Sequence, residues 1–419
     1  MVLNLLQVDI VIILRSGNPS YNEEKTGSMK SEQNIDTMDF NQSGNEKFIL
    51  EDYQGAIADY SRHLALHPKE AEPYYNRGNA KYNLEDYKGA IDDYSEAVKI
   101  DPNYLLIYNN RGNARNALLD YRGAIADYTT AISVDAEDVT AYYNRGFAKN
   151  SIEDFHGAIT DFSAAIAIDP LHIEAWYNRG VSNYMVKNYK GAITDYSRAI
   201  SLEPYDSMAY CSRGLARKAK EDLSGAIADF TKAINLNPED VTAYYNRGLA
   251  KNALQDFRGA VSDYTRVLSL NPKYILIYNL LGHARCNLQD FTGAISDYSK
   301  VLEFESNDTT ALFSRGSAMN SLKDYRGAVA DYSRVIEIDP DYPLIYRYRA
   351  NAKCNLKLYS GAVADYTTAI DRNPEEVDSY YFRGLARLDL GQQHEASLDF
   401  EKAAGMGSSE AVEAIKKYC

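Results

Sequence analysis

Ala71–Tyr104 reads AEPYYNRGNAKYNLEDYKGAIDDYSEAVKIDPNY, and this 34-residue stretch decides the fold. The same pattern returns at the same spacing almost to the C-terminus. Its Gly89-Ala90 pair has counterparts starting at Gly55, Gly123, Gly157, Gly191, Gly225, Gly259, Gly293, Gly327 and Gly361, with no insertion or deletion between them. A fixed period of this length signals a stacked array rather than a single globular core.

Within the stretch, Ala90, Ile91, Tyr94, Ala97 and Val98 follow the i, i+1, i+4, i+7, i+8 stripe of an amphipathic helix. Tyr74, Gly78 and Tyr82 lie four apart and share one face of an earlier helix. Asn83–Tyr87 forms the turn between them, and Asp101-Pro102 stops the second helix, since proline cannot continue it. Eight of the eleven prolines, from Pro68 to Pro374, fall at that stop, so the boundary recurs with the period. A pair of short helices cannot bury its apolar faces alone, whereas stacked neighbours share a continuous core.

These residues resemble the tetratricopeptide repeat family. The family's aromatic, glycine, alanine, aromatic, alanine and proline are Tyr74, Gly78, Ala90, Tyr94, Ala97 and Pro102, and Trp176 falls on its favoured tryptophan position. The alanine recurs from Ala56 to Ala396 and the following aromatic from Tyr60 to Phe400, giving eleven copies over residues 37–410. The resemblance implies an all-α, right-handed superhelical solenoid of helix-turn-helix units, whose first helices line a concave, protein-binding surface.

Residues 1–36 lie outside the array. Val2–Leu14 is apolar but carries Asn4, Gln7 and Asp9, is too short to span a bilayer, and lacks a basic residue ahead of it. Ser16–Asp36 reads as a flexible polar leader. Residues 37–70 form a degenerate N-terminal capping repeat in which Phe40 and Gly44 still match; residues 71–410 hold ten fuller units, and residues 411–419 a closing helix. The nonapeptide DVTAYYNRG at both 138–146 and 240–248 points to growth by internal duplication.

A net charge of −14 disfavours broad nucleic-acid binding. Cys211, Cys286, Cys354 and Cys419 lie in different repeats, which favours free thiols and a cytoplasmic location. The six histidines show no metal-ligand spacing, and no phosphate loop or nucleophile motif is present, so neither an enzyme nor a cofactor or metal is expected. The capping copies favour a monomer.

Two charged positions recur. Asp93 has counterparts from Asp59 to Asp399, and Arg77 has counterparts at Arg111, Arg145, Arg179, Arg213, Arg247, Arg315, Arg349 and Arg383, with Leu281 the exception. A ladder of arginine–carboxylate pairs is expected, within a unit or between neighbours. The alternative, an arginine row for an anion, is disfavoured because a matched acid accompanies each base. Glycine at the Gly89 position costs about 1 kcal/mol relative to alanine inside a helix. Close helix contact and simple duplication both remain open as its reason.

The candidate binding row sits on the first helices: Asn76, Asn110, Asn144, Asn178 and, after Ser212, Asn246. A side-chain amide both donates and accepts, so such a row can pair with a peptide main chain whatever its side chains. The resemblance implies this use, since asparagine ladders line the groove of some of these superhelices. The alternative is that each asparagine bonds a neighbouring loop. Tyr75, Asn79, Asn109, Asn113, Tyr143 and Tyr177 extend the site as rings interleaved with amides, suited to an extended segment with small or apolar side chains. The family's carboxylate clamp needs cations where this chain has Tyr75, Asn79, Asn110, Phe147 and Ser151, so a co-chaperone adaptor is the weaker alternative, beside a self-assembling array. The expected partners are therefore other proteins, engaged through extended peptide segments, with no nucleic acid and no membrane insertion.

Overall fold

A computed structural model describes residues 39–342 and 344–418; the leader, residues 1–36, and Cys419 lie outside the described residues. The described residues contain 23 α-helices and no strand, an all-α repeat fold. They divide into two compact units, one ending at Pro238 and the other beginning at Glu239.

In the first unit six helix pairs follow one another: α1 (Phe40–Ile49) with α2 (Tyr53–Leu66), α3 (Ala71–Asn83) with α4 (Tyr87–Ile100), α5 (Leu105–Ala117) with α6 (Tyr121–Val134), α7 (Val139–Ser151) with α8 (Phe155–Ile168), α9 (Ile173–Met185) with α10 (Tyr189–Leu202), and α11 (Ser207–Ala219) with α12 (Leu223–Leu236). The second unit holds five pairs: α13 (Val241–Ala253) with α14 (Phe257–Leu270), α15 (Ile275–Asn287) with α16 (Phe291–Phe304), α17 (Thr309–Ser321) with α18 (Tyr325–Ile338), α19 (Ile345–Asn355) with α20 (Tyr359–Arg372), and α21 (Val377–Asp389) with α22 (Gln393–Gly405). The closing helix α23 (Ser409–Tyr418) packs on α22.

The turns within the pairs are built the same way, except that the last two lack a side-chain cap. After α3, the Glu85 amide donates to the Tyr82 carbonyl and the Asp86 amide to that of Lys81, closing the helix end with Glu85 in the left-handed region at φ 62°. Asp86 then caps α4, its Oδ1 accepting from the Gly89 amide at 3.0 Å. This cap leaves no room for a side chain at the recurring glycine. A Cβ on Gly89 would lie 2.2 Å from Asp86 Oδ2, so the capping carboxylate fills the space a side chain would need. In the last copy the cap position is Gln392, whose side chain makes no capping bond, and Glu395 stands where the glycine was. At the other end of α4, the Asn103 amide donates to Asp101 Oδ1 and turns the chain toward α5.

Packing follows the apolar stripe. In the second helix of a pair, Ala90, Tyr94 and Ala97 are buried, and burying such a ring contributes about 1.5–3 kcal/mol. The Tyr94 ring lies over Gly78 on the first helix, where an added Cβ would meet it at 2.6 Å. Pairs then stack on pairs: Ile107 of α5 and Ala114 join the Ala90–Tyr94–Ala97 cluster of the preceding pair.

Candidate functional site

The first helices of the leading pairs carry an interlocked set of amides. Tyr94 Oη donates to Asn79 Oδ1 at 2.8 Å, and the same oxygen accepts from Asn110 Nδ2 of the next pair at 2.9 Å. The neighbours repeat it: Tyr60 and Asn76 both donate to Asn45 Oδ1, and Tyr128 and Asn144 both donate to Asn113 Oδ1. Each lock ties a second helix to its own first helix and to the first helix of the following pair.

The lock also leaves atoms over. Asn76, Asn110 and Asn144 are half-buried, donate through Nδ2, and receive no hydrogen bond on Oδ1 among the described residues. Asn79 and Asn113 accept through Oδ1 and keep Nδ2 without an acceptor among the described residues. The row thus presents acceptor oxygens from one residue set and donor nitrogens from another, which a mobile amide would not do.

Most of the remaining expected site residues are buried, as Asn79 is. Asn178 and Asn246 are 0 % exposed, the first donating to Tyr143 Oη at 3.0 Å and the second to the Thr242 carbonyl. Buried at this level they do not face solvent, and the exposed part of the row ends at Asn144. Tyr177 and Tyr143 are likewise buried, packed on Tyr196 and on Phe162 with His172. Asn109 is buried and donates to Asp138 Oδ2 at 2.6 Å. Tyr75 is half-buried and packs against Tyr94 and Tyr104. These rings and Asn109 therefore take part in repeat packing. Asn45, which anchors the first lock, escaped the sequence reading because its copy is degraded; counting 34 residues back from Asn79 finds it.

The second recurring set is the charged ladder, and it brackets both joints. Arg77 pairs with Asp93 two ways, Nη2 to Oδ1 at 2.6 Å and Nε to Oδ2 at 2.9 Å, so the ion pair lies within one helix pair. Its third nitrogen, Nη1, reaches Ser61 of the preceding pair at 3.0 Å. Ser61 is itself fixed by donating to the Ile57 carbonyl. A second base, Lys81, sits 2.7 Å from Asp93 Oδ2. The arginine also lies over the Tyr74 ring at 5.5 Å. Planar two-point pairing of this kind is where arginine differs most from lysine. The second base and the serine were legible only once the geometry placed them beside the carboxylate.

The exception is informative. Where Leu281 replaces the arginine, Asp297 keeps only Arg285, at 2.7 Å. Burial pushes its carboxyl up to about 6, against the pull of Arg285 and helped by Asp290. Burial also raises the Cys286 and Cys354 thiols, and among the described residues neither these nor Cys211 forms a disulfide. Among the described residues no helix is long and apolar enough to cross a membrane, and no group of three or more His, Cys, Asp or Glu side chains is arranged to hold a metal ion.

Family models described as tetratricopeptide repeat match residues 71–104, 173–206, 241–274 and 349–411, and one described as TPR repeat matches 44–85, 214–255 and 316–357. No curated protein matches the chain. Among solved structures, the C-terminal part of a TPR repeat-containing protein from Cytophaga hutchinsonii is 19% identical, covering 57% of this chain and 98% of its own, with a TM-score of 0.52. YrrB, described as a TPR protein with an unusual peptide-binding site, is 21% identical over 46% of this chain and 97% of its own, at a TM-score of 0.41. MamA from Desulfovibrio magneticus RS-1 is 24% identical over 41% of this chain and 96% of its own, at 0.39. With the 34-residue period, the paired helices and the family-model matches in hand, the chain belongs to the tetratricopeptide repeat family.

Proposed function

We propose that this protein-interaction scaffold holds an extended segment of a partner along its first helices, with Asn76, Asn79, Asn110, Asn113 and Asn144 pairing with the partner's main chain. The observation that carries this reading is the division of labour in the interlock. Asn76, Asn110 and Asn144 are each anchored by their nitrogen and leave an oxygen for an incoming N–H, while Asn79 and Asn113 leave a nitrogen for an incoming C=O. Anchored groups lose little freedom on binding, so their bonds are not offset by ordering. Main-chain pairing of this kind accepts many side-chain sequences, which suits a scaffold that assembles complexes.

The test is affinity capture with the full chain beside a variant carrying Asn76→Ala, Asn110→Ala and Asn144→Ala, both shown equally helical by circular dichroism. Asn178→Ala serves as the control, because it removes a buried amide of the same type. Loss of a specific partner in the triple variant alone supports the reading. Retention of every partner by the equally folded triple variant overturns it.

A further inference from the structure

The second base of the ladder fills the same slot in nearly every pair. In nine of the eleven pairs it is Lys or Arg, with a nitrogen 2.5–2.9 Å from the buried aspartate. In several pairs its stem lies beside the recurring glycine or its head reaches that glycine's carbonyl: Lys81 Nζ lies 3.4 Å from Gly89 O, and Arg115 Nη1 lies 3.1 Å from Gly123 O, with Arg115 Cδ 3.0 Å from where a Gly123 Cβ would stand. In the α17–α18 pair the slot holds Met319, whose sulfur lies 2.7 Å from where a Gly327 Cβ would stand, so an apolar chain fills it. In the α9–α10 pair the slot holds the short, neutral Asn183, whose Cγ lies 3.1 Å from where a Gly191 Cβ would stand, with Asn188 Nδ2 beside it at 2.5 Å.

There the structure opens an accessible cleft of about 460 Å³, lined among others by Ser163, Asn183, Asn188, Lys190, Gly191 and Asp195. Asp195 keeps its arginine, Arg179, and takes a neutral donor, Asn183 Nδ2 at 2.8 Å, where the neighbours supply a cation. Asn183 is steadied in turn by Asn188 Nδ2. We propose that this cleft binds the alkylammonium end of a lysine side chain supplied by a partner, with its N–H groups on Asp195 Oδ2 and the Gly191 carbonyl. The chain itself shows the bound geometry, in Lys81 on Asp93 and Gly89. Entry exchanges a neutral donor on a buried carboxylate for a charged one, and charge-assisted bonds are roughly twice as strong. Lys190 at the rim does not forbid this, since Lys88 holds the same place beside Lys81 in a filled pair.

The experiment titrates the ¹⁵N-labelled full chain with n-butylammonium, following the side-chain amides of Asn183 and Asn188. Butyltrimethylammonium, with equal charge and stem but no N–H, is the control. A saturable shift with the primary amine, absent with the quaternary one, is expected. The shift should vanish in Asn183→Lys, which fills the slot with charge, and in Asn183→Met, which fills it as Met319 does. Capped lysine binding more tightly than putrescine assigns the site to a partner chain; the reverse order assigns it to a free polyamine and overturns the partner. No saturation in the unsubstituted chain, equal shifts with the quaternary ion, or shifts retained in both folded variants would overturn the site itself.

Discussion

Asp59 in the first helix pair and Asp297 in the eighth occupy the same place, and both have lost the arginine that clamps their counterparts. Their fates differ. Ser43 stands in for the arginine beside Asp59 and donates at 2.7 Å, while Lys47 approaches to 2.5 Å and Arg62 to 3.5 Å. Burial opposes ionisation there, yet the bonds from Lys47 and Ser43 win and hold the carboxyl below its ordinary value. Leu281 offers Asp297 nothing, and with Arg285 alone burial wins, to about 6. Asp59, met by three donors, is held down, and Asp297, met by one, is held up. The ladder is thus a set of separate small balances, one per pair.

The largest effect should come from removing the acid where both bases are present. Asp161→Ala leaves Arg145 and Lys149 facing each other without their carboxylate, both largely buried. Breaking a buried pair this way costs about 3–5 kcal/mol. Because an array can open locally, native-state hydrogen exchange of the α7 and α8 amides is the readout. Unchanged protection and an unchanged melting temperature would sink the bracing role.

Restoring the missing rung is the converse. Leu281→Arg should re-form the two-point pair with Asp297 and reach Thr265, whose hydroxyl already donates to the Val261 carbonyl as Ser61 does to Ile57. A net gain of about 1 kcal/mol is expected, from charged hydrogen bonds offset by loss of a buried leucine. The sharper readout is the Asp297 carboxyl itself, which carbonyl NMR should find returned to the ordinary carboxylate range. A value still near 6 would show that burial, and not the lost arginine, sets the difference from Asp59.

The same contrast predicts a pH dependence. The native state holds the Asp297 proton up to about 6, whereas the unfolded chain releases it near the ordinary value of 3.8. Between these the native state binds more protons, so this carboxyl's contribution to stability is full below the lower value and is lost as pH rises through the upper one. Arg285 and Asp290 are the charges that act on it. Exchange protection of α15 and α16 should fall over that window in the parent chain and less so in Asp297→Asn. Equal slopes in the two proteins would remove Asp297 as the cause.

Much of this was legible in the sequence, because a period of 34 residues written eleven times averages away local ambiguity. The turn expected at Asn83–Tyr87 and the stop at Asp101-Pro102 coincide with the ends of α3 and α4. The matched Arg77 and Asp93 foretold an ion pair, and the geometry places it within a pair. The binding row was less legible. Sequence spacing puts Asn110 and Asn178 at equivalent positions, but Phe147 replaces the asparagine that would have locked Asn144's successor as Asn113 locks Asn144. That change shows only when the neighbour's side chain is seen, because exposure here is decided between repeats and not within them.

Glycine at the cap carries the smallest and most selective comparison. At Gly89 the capping carboxylate of Asp86 leaves no room for a methyl group, so Gly89→Ala must displace the cap and should cost about 1 kcal/mol. At Gly361 the cap residue is Leu358, which makes no side-chain cap bond, and the nearest atoms an added Cβ would meet are those of the Lys353 side chain, Cδ first at 3.4 Å, an ordinary contact. There the intrinsic preference for alanine is unopposed, and Gly361→Ala should stabilise its helix by about 0.5–1 kcal/mol. Opposite signs for one substitution at equivalent positions would establish the cap as the reason for the glycine. If both destabilise, close packing of the following helix is the reason instead. If both stabilise, the glycine is a relic of duplication, kept where nothing requires it.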